Sequence, residues 1–544
     1  RIFTKLRASR LHYSSARSCE SENMTTPQLE LQQRRVVSSF IFSLQKRPCV
    51  ALFKRSGSVQ TYRHRLAPIS GTIEPPESPV AAAWRELKEE TTLTPRDIEL
   101  WRHGKPYTFS DPAIGRQWTI YPFAFRLKQS DEGGRGEAGI HIDWEHDDWE
   151  WFDPRDIKED GRGVPRLADS LHRVWFEAEM NEEASQALRS SLQQLKNDHQ
   201  SGSHELTTIA LTGFRDVLVH LRDDPNWWRT ARLAAWHIGK NGRESMSSAT
   251  QNAFLAVLDD LEKIAGSNSG NGVIWENVLG VVDSHLEKRR EMPARIRDSF
   301  TAYLNNTFVR MTDSHSPSTL TILILSASST IRDSILDAFA SLPISKLDIR
   351  ILESRPLCEG ASMASSLVAG FQTKFPSSGD RHLKLTVYTD ASAAIAADGV
   401  NFVLLGADCI SSEGWISNKM GSLPAVLAAR YASPTVKVLV FSQLEKVAEP
   451  GSAKDHVPEN NDPAELMTSW PGSGVKGLGL LQKQINTPSG SSNCEVEVKN
   501  LYFEWVPNNL IDGYVCEEGT VSRKDIKEKA YQVKEKADKY LASL

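Results

Sequence analysis

Between Val36 and about Asp156 apolar and polar residues alternate in short runs, the period of half-buried strands. The pattern predicts strands over Val36 to Leu44 and Cys49 to Lys54, another over Trp118 to Arg126 where aromatic and small residues alternate, and a last one at Trp149 to Phe152. One strong helix interrupts them. Ser78 can cap free amides, Pro79 suits a first turn, and Val80, Ala83, Trp84 and Leu87 recur at three and four spacing as an apolar stripe. From about Leu167 to Phe308 the period becomes helical, as in Phe254 to Ile264 and Val278 to Leu286. After Leu320 apolar runs alternate with helix-length segments, at Thr321 to Leu325, Leu347 to Leu352, Leu383 to Tyr388, Phe402 to Leu405 and Val436 to Phe441. Strands apolar on both faces, separated by helices, imply a mostly parallel, doubly wound, Rossmann-like sheet. Glu449 to Cys494 is dense in Pro, Gly, Ser, Asn and Asp and reads as a long mobile loop.

At 544 residues the chain exceeds what one hydrophobic core supports. The expected division is 1–23, 24–165, 166–315 and 316–544: an N-terminal extension, a β-rich domain, a helical section and a multilayer α/β domain. Residues 1–23 are rich in Arg and Ser with little acid before Glu20, which suits either a mitochondrial transit segment or sequence upstream of a start at Met24. With 64 Lys plus Arg against 69 Asp plus Glu the net charge is -5, so no global basic field marks a nucleic-acid partner. Six cysteines without a C-x-x-C pair argue against a disulfide framework and suit a reducing compartment. No apolar run reaches the roughly 18 residues of a membrane helix. A cytoplasmic protein is expected, or a mitochondrial one if 1–23 is a transit peptide.

The β-rich domain carries the first candidate site. At about 100° per residue, Glu86, Glu89 and Glu90 are expected together on the helix face turned from the apolar stripe. Like charges so placed repel by a few tenths of a kcal/mol per pair, and a divalent cation reverses the sign. Arg85 beside them can orient a carboxylate through a bidentate pair. The order of Gly71, Glu77, Arg85, Glu86, Leu87, Glu89 and Glu90 resembles the Nudix box residue for residue, over a region of about Val36 to Ile157. The resemblance implies an α/β/α sandwich and hydrolysis of a diphosphate bond, with Mg²⁺ or Mn²⁺ held by Glu86, Glu89 and Glu90 and supported by Glu77. It also implies a general base from a later loop, for which Glu145 is the candidate. Thr92 stands where the family usually has Gly, so the loop after the helix is expected to differ.

A second constellation follows the C-terminal strands: Arg355, then Asp408, then Asn418 and Lys419, each where open α/β sheets bind ligands. In this order, from about Leu206 to Tyr540, they resemble the translation initiation factor 2B family, which includes related sugar-phosphate isomerases. The isomerase branch pairs a cysteine with the aspartate matching Asp408, whereas this chain has Ser326 at the first place, with Cys358 and Cys409 read as buried small residues. Arg243 matches a phosphate-binding arginine of that branch. The resemblance implies a sugar-phosphate-binding or assembly domain, with homodimerisation through it. Three functions stay open: a hydrolase of a nucleoside diphosphate derivative, a regulatory interaction protein of the initiation factor type with a noncatalytic Nudix module, and an aldose–ketose isomerase.

Overall fold

The computed structural model describes residues 31–45, 47–198, 201–243, 247–267, 274–309, 319–376, 379, 381–451, 461–487 and 493–544. The extension 1–23 and parts of the expected loop 449–494 lie outside them.

The N-terminal strands are β1 (Gln32–Ser43), β2 (Cys49–Arg55), β3 (Leu66–Ala67), β4 (Ile98–His103), β5 (Tyr107–Asp111), β6 (Arg116–Leu127) and β7 (His146–Phe152). They form one mixed sheet in the order β3-β2-β1-β6-β4, with β5 also on β6 and β7 also on β2. β1 and β6 run parallel, Gln32 opposite Arg116 through Phe42 opposite Arg126, and the other pairs are antiparallel. Alternation along β1 sends Val37 and Ile41 toward helix Pro79–Thr91, with Phe53, Leu87 and Phe125. Phe40 and Phe42 face the other way, against Leu167, Leu171 and Trp175. Helix Leu167–His172, which the pattern assigns to the helical section, therefore supplies the back layer of an α/β/α sandwich.

Helices Glu182–Asn197, Ser203–Val219, Trp227–Asn241, Ser247–Ser267 and Trp275–Thr307 build the middle section. Their core around Leu188, Phe214 and Leu258 also takes Val533, Tyr540 and Leu541 from the C-terminal helix Arg523–Leu541, so the chain's end closes its middle. The two halves also meet through Asn241, whose side chain accepts from the His103 amide at 2.7 Å and donates to the His103 carbonyl at 3.0 Å.

The C-terminal strands are β8 (Thr319–Leu325), β9 (Lys346–Leu352), β10 (His382–Tyr388), β11 (Phe402–Gly406), β12 (Cys409–Ile410), β13 (Ile416–Lys419), β14 (Lys437–Phe441), β15 (Phe503–Val506), β16 (Gly513–Cys516) and β17 (Gly519–Val521). The main sheet has the order β10-β9-β8-β11-β14-β16-β17, parallel until the β16–β17 hairpin, and β12-β13-β15 form a small antiparallel sheet. The five expected strands are all present, and the order reverses between β8 and β11, the switch at which such sheets open a crevice. Part of the expected loop is ordered: helices Ala464–Met467 and Leu478–Ile485 lie in it, tied down where Glu465 accepts from the Asn500 side chain at 2.7 Å and Ser469 from Arg355 at 2.6 Å.

The helix Pro79–Thr91 ends on Thr92 at φ +59° and ψ +7°, with the Thr92 amide bonded to the Lys88 carbonyl at 3.0 Å. The expected change of loop is therefore corrected: the left-handed cap is kept with a β-branched residue, its hydroxyl donating to the Gly139 carbonyl at 3.3 Å. A non-glycine residue there costs about 1–2 kcal/mol, partly offset by the chain entropy a glycine loses. Thr92→Gly should stabilise the protein by about 0.5–1 kcal/mol in urea unfolding. Unchanged or lower stability would mean that the hydroxyl bond outweighs the strain.

Candidate functional site

The acidic helix begins where Ser78 accepts from the Ala81 amide at 3.2 Å, and it buries Ala82, Ala83 and Leu87 on the sheet. The three acids do not share one outward face. Glu90 is 3% exposed, because three residues on from Leu87 it lies only about 60° round the helix from the apolar stripe. Glu86 is 12% exposed at its side chain and Glu89 59%, so the set runs from the seam with the sheet out to solvent. Arg85 organises the rest. It donates to both Glu77 oxygens at 3.0 Å, to Glu86 at 2.7 Å, to Glu89 at 3.1 Å and to the Thr72 carbonyl at 3.0 Å. These bonds hold Glu77 below the usual carboxylate range. Gly71 supplies the clearance: a Cβ there would lie 1.8 Å from the Glu86 carboxyl.

Burial, then the charges of Glu86, Glu145 and Asp143, raises Glu90 well above the usual range. Its Oε2 makes no hydrogen bond. Burial, relieved in part by Arg85 and reinforced by the charge of Glu89, likewise raises Glu86. Glu145 is raised by burial and by Asp143, and it is half-buried on the same cleft as Glu86. His146, which the sequence did not single out, lies 3.6 Å from Glu90 and 3.7 Å from Asp143 and is held to about 4 by burial and by Arg55. Arg55, also missed, stands opposite His146 in the β2–β7 register and lines the cleft. Its only sequence signal is a cation at the end of an apolar strand.

Among the described residues no three acidic, His or Cys side chains already converge as a cage for a metal ion. Arg85 keeps Glu86 and Glu89 on its own side. The donors nevertheless fit a hard cation: they are carboxylate oxygens, and one, on Glu90, is buried without a hydrogen bond. From this end a cleft of about 500 Å³ runs along β5 and β6, within the size of small-molecule sites.

The second constellation converges in part. Lys419 pairs with Glu359 at 3.1 Å, and Ser326, at φ +62°, donates to the other Glu359 oxygen at 2.5 Å. Arg355, Lys419 and Tyr502 line a cavity of about 20 Å³ beside them, room for a water. Asn418 is buried and donates to Ser422 at 2.9 Å, and the Asp408 amide donates to the Ser417 carbonyl at 2.8 Å. Arg243 instead donates to the Asp198 carbonyl in the helical section. Cys409 is buried, which pushes its thiol up to about 11, and Cys358 donates weakly to the Pro356 carbonyl at 3.7 Å.

An α/β/α sandwich bearing an acidic, Arg-organised helix, followed by helices and a mostly parallel sheet, defines a two-module chain. The family model of the NUDIX domain matches residues 32–174, and that of the Initiation factor 2 subunit family matches residues 304–523. The methylthioribose-1-phosphate isomerase of Pseudomonas syringae pv. syringae (strain B728a) is 27% identical over 175 residues, 32% of this chain and 41% of that protein. That of Marinobacter nauticus is 32% identical over 148 residues, 27% of this chain and 37% of its own length. The match thus spans about two-fifths of these relatives. Among solved structures, the translation initiation factor eIF-2B of Pyrococcus horikoshii OT3 covers 62% of this chain and 98% of its own at 17% identity and TM-score 0.43. The eIF2B beta of Chaetomium thermophilum covers 65% of this chain and 93% of its own at 12% identity and TM-score 0.42.

Proposed function

We propose that the NUDIX domain hydrolyses the diphosphate bond of a nucleoside diphosphate linked to another group, with Mg²⁺ or Mn²⁺ held by Glu86, Glu89 and Glu90. The observation that carries this reading is Glu90, a buried carboxylate with an oxygen that makes no hydrogen bond and with Glu86 repelling it, on the helix whose Glu86 lines a ligand-sized cleft. Such a group costs free energy unless a cation compensates it. An ion bound there supplies charge that diphosphate oxygens can share and makes a bound water more acidic. Glu145 takes the proton from the attacking water, its raised proton affinity suiting a base. Glu77 fixes Arg85, and Arg85 fixes the helix to the Thr72 backbone. Arg55 faces the diphosphate from β2.

The C-terminal domain is proposed to be a ligand-binding or assembly domain, with Arg355, Asn418 and Lys419 on its crevice. Glu359 favours this over isomerisation, because its carboxylate already sits on Lys419, the cation a sugar phosphate would need. A hydroxyl at Ser326 and a thiol at Cys409 pushed up to about 11 supply no thiolate.

The test incubates the full chain and a Glu89→Gln, Glu90→Gln variant with Mg²⁺ and a panel of nucleoside diphosphate derivatives. Release of nucleoside monophosphate by the wild type alone supports hydrolysis. Equal inactivity removes it and leaves a regulatory protein with a noncatalytic module. Ketose formation from an aldose phosphate, lost in Asp408→Asn, would restore the isomerase.

A further inference from the structure

Under the end of the acidic helix two buried polar groups face each other. Glu90 Oε2 makes no hydrogen bond, and among the described residues neither ring nitrogen of His146 has a hydrogen-bond partner. His146 Nε2 lies 3.6 Å from that Glu90 oxygen and Nδ1 lies 3.7 Å from Asp143 Oδ1, both just beyond hydrogen-bond reach. The imidazole is enclosed, its side chain 0% exposed and the Phe53 ring 5.3 Å away at 61°. Buried polar groups left unpaired cost free energy, so two of them kept side by side mark a function rather than packing.

The surrounding chain shows what the ring joins. Glu145 and His146 are consecutive where β7 begins, and alternation turns them apart: Glu145 lines the cleft, whereas His146 is buried against Glu90. Asp143, on the far side of the ring, is tied to both ends of the site. Its amide donates to the Glu90 carbonyl at 3.2 Å, and its carboxylate accepts from the Glu145 amide at 2.9 Å. The Glu145 carbonyl in turn accepts from the Ser56 amide at 2.8 Å. His146 therefore stands between the carboxylate on the helix and the turn that presents Glu145.

We propose that His146 is a positioning residue: its Nε2–H donates to Glu90 Oε2 when that carboxylate meets a divalent cation, and so fixes the orientation in which Glu90 holds the ion. The inference rests on the reading of Glu86, Glu89 and Glu90 as the cation's ligands. An imidazole suits the task, because in its neutral form it brings an N–H into a dry place without a second charge. His146 is neither a ligand nor the base, since it does not line the cleft and both ring nitrogens face carboxylates. Asp143 is the rival partner for the ring's proton, and the two nitrogens can be tested apart.

Titration of the metal-free full chain with Mn²⁺, the free ion followed by electron paramagnetic resonance, tests this with three variants. His146→Gln places an amide near Nε2, His146→Asn places one near Nδ1, and His146→Phe keeps a ring without a donor. The wild type and His146→Gln should bind Mn²⁺ alike. His146→Asn and His146→Phe should bind it about 10–100-fold more weakly, the usual loss when the partner behind a metal ligand is removed. The comparison of His146→Asn with His146→Gln decides the matter even if His146→Phe does not fold. A ring with a purely structural role predicts instead lower midpoints in urea with Mn²⁺ affinity unchanged. That result overturns the proposal, as does a His146→Asn variant that binds Mn²⁺ like His146→Gln. If Mn²⁺ binding shows the expected dependence while no diphosphate in the panel is cleaved, the hydrolase reading falls and the positioning stands; a wild type that binds no Mn²⁺ overturns both.

Discussion

Glu90→Gln is expected to lower kcat/KM for diphosphate hydrolysis by about 10³-fold while making the metal-free protein more stable. The first effect follows because a preorganised charge at a transition state contributes about 10²–10³ in rate, and Glu90 is the most enclosed of the three carboxylates. At 1.36 kcal/mol per decade this is about 4 kcal/mol of transition-state stabilisation. The second effect comes from burial. Glu90 Oε2 has no hydrogen bond, and Glu86, Glu145 and Asp143 all repel its charge. Replacing it by a neutral isostere should add about 1 kcal/mol in urea unfolding without metal. Added Mn²⁺ then separates the variants: at a hundredfold excess over its Kd it should stabilise the wild type by about 2.7 kcal/mol and leave Glu90→Gln unmoved. A destabilised variant that keeps its Mn²⁺ response would make Glu90 a structural acid and remove the ion from this helix.

That opposition of activity and stability explains which parts of the site were legible in the sequence. The box was legible because Gly71, Glu77, Arg85, Glu86, Glu89 and Glu90 are bound by local geometry: one helix, its cap and the turn before it. Where each acid points was not, since an outward face assumes that the apolar stripe ends at Leu87. The segment before β7 in fact covers the helix end at Glu90 and Thr91, the His141 and Asp143 amides donating to their carbonyls. Short elements escaped for a similar reason. β3 has two residues and β5 five with half-buried alternation, so their apolar signal is weak, and pairing with β2 and β6 decides their conformation. Thr92 misled in the opposite direction: local preference opposes a left-handed residue, and the Lys88 and Gly139 carbonyls override it. In the C-terminal domain the parallel strands were plain from their apolar runs. The place of Glu359 was not, since it lies between Ser326 and Lys419 only after residues far apart in sequence meet at the crevice.

The largest effect on stability is expected from Arg102→Ala, where the N-terminal domain docks on the helical section. Arg102, on β4, is 3% exposed and donates to both oxygens of Glu177 at 2.7 and 2.8 Å, and to the Val174 carbonyl at 3.1 Å. Its guanidinium lies 3.9 Å from the rings of both Trp101 and Phe176, so the planar charge is sandwiched as well as paired. Removing the arginine leaves the Glu177 carboxylate, 8% exposed, with Arg189 at 3.5 Å as its remaining cation. Breaking a buried pair from one side costs about 3–5 kcal/mol, because the other charge stays desolvated. Arg102→Ala should lose that much in urea unfolding. The pair as a whole is worth far less than its halves, since two charges had to be dehydrated to form it. The double variant Arg102→Met, Glu177→Leu should therefore recover to within about 1 kcal/mol of the wild type, with Arg189 kept solvated by Glu182 and Gln186. A double variant as unstable as Arg102→Ala would instead make the sandwich of Trp101, Arg102 and Phe176 the contact that joins the two modules.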